Sequence, residues 1–160
     1  MTATTEMART VMVRSELLGE FDVNEDQVIT FTRGIPGFPE GNQYALVATG
    51  RNGVFWLQSL DFTALSFLLI DPFLFFPGHY FLDLSAEDLA RVGTTDPTEL
   101  VVLSIVTLGA QPDQGPTANL RAPLLVNLRS RTAFQSIRAD GDFGVREPLE
   151  SAAFAGHEQA

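Results

Sequence analysis

The feature that most constrains this chain is a succession of short β-rich runs, each closed off by turn residues, with one helical pattern among them. Val28–Phe31 (VITF), Tyr44–Ala48 (YALVA), Val54–Ser59 (VFWLQS), Ser66–Ile70 (SFLLI), Glu99–Leu108 (ELVVLSIVTL), Leu124–Leu128 (LLVNL) and Ala133–Arg138 (AFQSIR) are rich in β-branched, aromatic and aliphatic residues. Gly, Pro, Asn and Asp fill the breaks, as in Arg33-Gly34-Ile35-Pro36-Gly37, Gly50-Arg51-Asn52-Gly53 and Asp140-Gly141-Asp142. Between Ser66–Ile70 and Glu99–Leu108 lies the helical pattern. Ser85 is a good N-cap, Asp88 completes a capping box, Leu84, Leu89 and Val92 supply an apolar side, and Gly93 stops the segment. Many strands and a helix over Ala86–Val92 predict an all-β, antiparallel, barrel-like single domain with one short α-helix, not a βαβ sheet.

A chain of 160 residues buries roughly 70% of its unfolded surface around one core, which suits a single domain over residues 11–150. The polar start, residues 1–10, and the small-residue tail, residues 151–160, are expected to be loosely held. No secretory signal and no apolar run of membrane-spanning length is visible, so the expected location is cytoplasmic and away from membranes.

Composition narrows the chemistry. All 10 basic residues are Arg, so a phosphate-loop lysine, a Schiff base and a lysine general base are excluded. The absence of Cys excludes thiol nucleophiles, disulfides, zinc–thiolate sites and iron–sulfur clusters. A net charge of −10 argues against direct binding to nucleic acid, because neutralising phosphates needs clustered cations. Partners are therefore expected to be proteins or small molecules, with no cofactor and no metal.

No G-x-S-x-G, H-E-x-x-H or G-x-G-x-x-G occurs. In GIPGFPEG, Pro36 and Pro39 remove the amides a phosphate cradle would need, so Gly34, Gly37 and Gly41 read as turn formers. His79 and Asp83 have the spacing of a metal pair, but two ligands do not make a site. Asp61 and Asp71 are the paired carboxylates a hydrolase would use, although each follows an apolar run in the manner of a strand end. The least ordinary segment is PFLFFPGHYFL, residues 72–82, whose Phe73, Phe75, Phe76, Tyr80 and Phe81 crowd an irregular stretch with two prolines. It reads either as a plug at one end of a barrel or as a partly exposed aromatic patch for a protein partner.

GIPGF at 34–38, WLQSLD at 56–61, IDPFLFFP at 70–77, LSIVTL at 103–108 and TANLRAPLLVNLRSR at 117–131 follow one another in an order that closely resembles the flagellar assembly factor FliW family. The resemblance runs from about Phe31 to Leu149 and departs at Phe62-Thr63, at Gly78-His79-Tyr80-Phe81 and at Thr132-Ala133-Phe134.

The resemblance implies a non-enzymatic switch that binds CsrA, an RNA-binding translational repressor, and relieves its repression of flagellin messenger RNA by an allosteric, non-competitive route. It also implies binding of unassembled flagellin, which would compete for the factor and release the repressor. A strongly acidic chain suits a basic RNA-binding partner, since negative potential beside the RNA site weakens RNA binding without covering it. The contact is expected on the aromatic segment and its acidic neighbours: Asp61, Asp71, Phe73, Phe75, Phe76, His79, Tyr80, Phe81 and Asp83. The free protein is expected to be a monomer. Two rival readings are a small-ligand carrier, whose cavity Phe55, Trp56 and Phe67 would line, and a hydrolase using Asp61 and Asp71.

Overall fold

The computed structural model describes residues 9–38, 41–109, 114–138 and 143–149. Residues 1–8 and 150–160, which hold most of the two ends expected to be loosely held, lie outside the described residues.

The strands are β1 (Thr10–Ser15), β2 (Gly19–Asn24), β3 (Val28–Phe31), β4 (Gln43–Ala48), β5 (Val54–Ser59), β6 (Ser66–Ile70), β7 (Leu100–Thr107), β8 (Thr117–Ala118), β9 (Leu124–Asn127), β10 (Thr132–Gln135) and β11 (Glu147–Pro148). Strands β3 to β7 run as an antiparallel meander, and β9 and β10 form a hairpin that closes the circuit. Strand β9 pairs antiparallel with β7, Val101 opposite Val126, while β10 pairs parallel with β3, Thr132 opposite Thr30 and Ala133 opposite Phe31. The barrel thus contains seven strands in the order β7-β6-β5-β4-β3-β10-β9. The parallel seam departs from the wholly antiparallel arrangement expected, for a geometric reason. Strand direction cannot alternate all the way round a closed ring with an odd number of strands, so one neighbouring pair must be parallel.

Alternation along each strand sends one set of side chains inward. Ile29, Phe31, Tyr44, Leu57, Leu69, Leu103, Leu124, Val126 and Ala133 fill the interior, with Phe55 and Phe67 packed against them. At roughly 1.5–3 kcal/mol for each large apolar side chain removed from water, this filled interior dominates stability. The outer faces are covered in three places. The hairpin of β1 and β2 lays Val13 and Val23 on Ala45. Helix α2 (Ala86–Arg91) leads to Val92, which packs on Leu125 and Phe134. The third cover, over Val54, Ile70 and Val106, is the aromatic segment itself.

Helix α2 forms where the sequence places it: Ser85 Oγ accepts from the Asp88 N–H and the Asp88 carboxylate from the Ser85 N–H, each at 3.0 Å. The structure adds a one-turn helix, α1 (Pro72–Phe75), in the segment read as irregular. Asp71 is its N-cap and Pro72 its first residue, a pairing that favours helix initiation. The GIPGF stretch is a turn: the Phe38 N–H donates to the Ile35 carbonyl at 2.7 Å around Pro36 and Gly37, whose φ of 93° only glycine adopts freely.

Candidate protein-interaction site

The aromatic segment covers the outer wall of the barrel rather than plugging one of its ends, and part of it reaches solvent. Asp71 Oδ1 accepts from the Phe73 N–H at 2.9 Å and the Leu74 N–H at 3.4 Å, which fixes α1 across the end of β6. Beneath it, Gly53 is held at φ +77°, and a Cβ there would lie 2.6 Å from Leu74 Cδ2. The β4–β5 turn can therefore approach α1 only because it carries glycine.

Tyr80 is 6% exposed, packs with Val54, Ile70, Val106, Leu120 and Leu149, and has Phe75 and Phe76 as half-buried neighbours. Of the residues expected at a partner contact, Tyr80 is therefore one whose ring is packed against the wall rather than open to solvent. Once α1 has turned the chain, residue 80 faces the outer surface of β5 to β7, where it fills what would otherwise be a void. Its hydroxyl has no hydrogen-bond partner among the described residues, and burial pushes the phenol up to about 12, partly offset by the positive charge of Arg138. Around it the rings form a cluster. Phe73 meets Tyr80 edge-on at 5.0 Å, and Phe143 meets Tyr80 at 5.0 Å, Phe81 at 5.2 Å and His79 at 5.7 Å. What reaches solvent is a rim of Phe73 (46% exposed), Leu74 (41%) and Phe81 (59%), with exposed His79 and Asp83 and half-buried Asp71 beside it.

Asp61 is not part of this surface. It lies on the β5–β6 turn, where its N–H donates to Ser59 Oγ at 3.0 Å, close to Gly41 and Tyr44. Burial, and secondarily the Asp61 charge, raise the Tyr44 phenol above its usual value. Asp71 stands at the other end of β6, so at ~3.3 Å per residue the two carboxylates are on the order of 15 Å apart, beyond the roughly 5–9.5 Å of a glycosidase pair. The hydrolase geometry is not formed. The carrier geometry is not formed either, since Phe55 and Phe67 pack on a filled interior. Trp56 points outward instead and floors a shallow groove with Leu18, Phe21, Val47, Leu68 and Leu108.

Two contributors escaped the sequence reading. Leu74 sits inside the quoted run, and the Asp71-Pro72 pair ahead of it is a legible helix start. Phe143 carries no local signal, because its role as the ring joining His79, Tyr80 and Phe81 exists only after the chain has folded back.

The polar residues of the sequence motifs mostly build turns. Gln58 Nε2 donates to the carbonyls of Ser59, Phe62 and Thr63, and Ser59 Oγ accepts from the Asp61 and Phe62 N–H groups. Asn119 Oδ1 accepts from the Arg121 and Ala122 N–H groups, and Asn127, 1% exposed, donates to the Val92 carbonyl at 2.7 Å while accepting from Arg129 and Ser130. Among the described residues no group of three or more His, Cys, Asp or Glu is placed to hold a metal ion, and no helix is long and apolar enough to cross a membrane.

These features define a small closed β-barrel with a filled interior, whose exposed aromatic rim lies on the outer wall. The crystal structure of a flagellar assembly factor FliW has the same fold, with a TM-score of 0.77 and 30% identity over 87% of this chain and 96% of that one. The family model described as FliW protein matches residues 12–149. Flagellar assembly factors FliW from Treponema denticola and Bacillus subtilis are similar throughout: the first is 36% identical over 138 residues, covering 86% of this chain and 92% of the relative, and the second 32% identical over 141 residues, covering 87% and 96%. The relative from Treponema pallidum is 40% identical over 124 residues, covering 77% of this chain and 81% of its own. The chain belongs to the FliW family of flagellar assembly factors.

Proposed function

We propose that this protein is a cytoplasmic, non-enzymatic regulator that binds the translational repressor CsrA and lowers its affinity for flagellin messenger RNA without occupying the RNA site. We also propose that unassembled flagellin binds the protein and so returns the repressor to its RNA. The observation that carries the reading is the rim of Phe73, Leu74 and Phe81 flanked by Asp71 and Asp83: an apolar centre with acidic neighbours on a chain of net charge −10. Such a surface suits a basic protein partner, with the rings supplying desolvated contact and the carboxylates steering approach. Phe75, Phe76 and Tyr80 then act as the packed base of the patch, and His79 as an exposed member of its ring cluster. Asp61 stands apart from this rim, at the far end of β6.

A gel-shift titration with repressor, flagellin leader RNA and this protein tests the reading. The expected result is no complex between the protein and RNA alone, a weakened repressor–RNA complex when the protein is added, and recovery of that complex with monomeric flagellin. A direct RNA complex, or no effect on the repressor, would overturn it.

A further inference from the structure

Strand β10 is covered along only part of one edge. Towards β9 it is paired throughout, and the pairing continues past the strand end: Ser136 N–H donates to the Pro123 carbonyl at 2.9 Å and Arg138 N–H to the Arg121 carbonyl at 2.8 Å. Towards β3 the register covers Thr132 and Ala133, and the last bond of the seam runs from the Thr32 N–H to the Ala133 carbonyl at 3.4 Å. The chain of β3 then turns away at Gly34, φ +64°, into the Ile35–Phe38 turn. Residues 135 and 137 keep the extended alternation, so their N–H and C=O groups point to the side β3 has left. None of these four groups has a backbone partner among the described residues. Ile137 is also 65% exposed, the most exposed large apolar side chain described.

A recess borders this edge. The turn supplies Arg33, Gly34 and Pro36, α2 supplies Glu87, Asp88 and Arg91, and Phe134 forms the floor beneath the Arg91 guanidinium, 4.8 Å from its ring centre. Its lining carries two guanidiniums, Arg33 and Arg91, and two carboxylates, Glu87 and Asp88, but they do not all pair. Glu87 is paired with Arg91 at 2.7 Å and Asp88 with Arg138 at 3.1 Å, while Arg33 has no ion-pair partner among the described residues. The recess therefore holds one guanidinium, Arg33, without an ion-pair partner among the described residues, beside an open run of backbone donors and acceptors.

We infer that the open edge of β10 at Gln135–Ile137 is a strand-addition site for an extended peptide segment of a protein partner, with an acidic side chain of that segment seated on Arg33. Open main-chain groups in β conformation recognise extended backbone, and flanking side chains set the preference. A helix offers no free main-chain groups to this edge. A second copy of the chain would bring its own Arg33 into the recess, so an acidic peptide is the better complement. The site is independent of the aromatic rim and of the repressor reading, since it is defined by backbone geometry and by Arg33.

Selection of a random decapeptide display library on the full chain, followed by binding and amide-exchange measurements on the recovered peptides, tests the inference. Peptides with alternating β-branched residues and an acidic residue are expected, and they should slow exchange of the Gln135 and Ile137 amides. Ile137→Pro removes an N–H that has no backbone partner among the described residues, and should weaken these peptides by about tenfold or more. Arg33→Glu, an exposed change that spares the backbone, should abolish the preference for acidic residues while leaving the melting temperature unchanged. Peptides that bind Ile137→Pro as tightly as the wild type, or no recovered peptide that protects those two amides, would overturn the proposal. So would a wild-type dimer that Ile137→Pro dissociates, which would assign the edge to a second copy.

Discussion

The Asp88 carboxylate lies 3.1 Å from the Arg138 guanidinium, although 50 residues of chain separate them. Arg138 Nη1 also donates to Ser136 Oγ at 2.8 Å and Nη2 donates to the Asp83 carbonyl, so one side chain ties the N-terminus of α2, the exit from the aromatic segment and the end of β10 together. Burial works against the Asp88 charge, but hydrogen bonds from Ser85 and Arg138 outweigh it and hold the carboxyl below its usual range. A depressed carboxyl stabilises the fold above its unfolded-state value near ~3.9, and that stabilisation disappears as pH falls through the folded value. Arg138→Ala is therefore expected to lower stability by ~1–2 kcal/mol at pH 7 and by much less at about pH 2, measured by urea melts at the two pH values.

Tyr80 and Phe81 should respond differently to truncation. Tyr80→Ala removes a ring that is 6% exposed and should destabilise by ~3–4 kcal/mol. Phe81→Ala removes one that is 59% exposed and should leave the melting temperature nearly unchanged. Under the proposed function, surface-resonance kinetics on Phe81→Ala should show faster dissociation of CsrA or flagellin, by ~2 kcal/mol. Asp83→Asn should instead slow association and flatten its salt response.

Tyr80→Phe deletes a buried hydroxyl that has no hydrogen-bond partner among the described residues. Stability should rise by ~1 kcal/mol, since the hydroxyl loses its water on folding without gaining a partner. Differential scanning calorimetry of the two proteins decides it.

Both tyrosine phenols are raised, Tyr80 to about 12. A raised phenol keeps its proton in the folded state while the unfolded state loses it near ~10, so stability is full below that pH and falls as pH rises through the folded value. Alkaline denaturation should therefore begin above about pH 10, with most of the 295 nm phenolate absorbance appearing as the chain unfolds. A folded-state phenolate titration with its midpoint at or below about pH 10 would contradict the burial of both rings.

Gly53→Ala places a methyl 2.6 Å from Leu74 Cδ2 at a φ of +77°. A loss of ~1–3 kcal/mol is expected, together with displacement of α1 and weaker partner binding. Asp71→Ala, which removes the cap without adding bulk, should cost about 1 kcal/mol. Melting curves on both variants separate steric from capping effects.

The strands were legible because short-range chemistry writes them: VITF, VFWLQS and SFLLI are strands from end to end, and Ser85 with Asp88 marks α2. The β1–β2 hairpin was not, since Thr10–Asn24 alternates charged residues with Val and Phe and has its apolar side defined only against Ala45. The parallel seam was illegible for a similar reason, as nothing local in Thr132 points to Thr30. At the aromatic segment the sequence supplied the residues but not their division. Which rings face the wall and which face water was decided by the turn of α1 and by Phe143, both settled only in the assembled fold.

The same seam bears on how the molecule comes into being. Residues 30 and 132 must meet before the ring is complete, so the closing contact spans almost two thirds of the chain, and such long-range closures are slow compared with hairpin formation. During synthesis β3 to β7 can pair in order as they appear, but until β9 and β10 arrive the outer edge of β3 and all but the β8-paired end of β7 stay bare. A nascent or truncated chain ending before residue 124 is thus an open sheet with two sticky margins, prone to clump with its neighbours. The β9–β10 hairpin acts as a latch, the last piece of the ring to arrive.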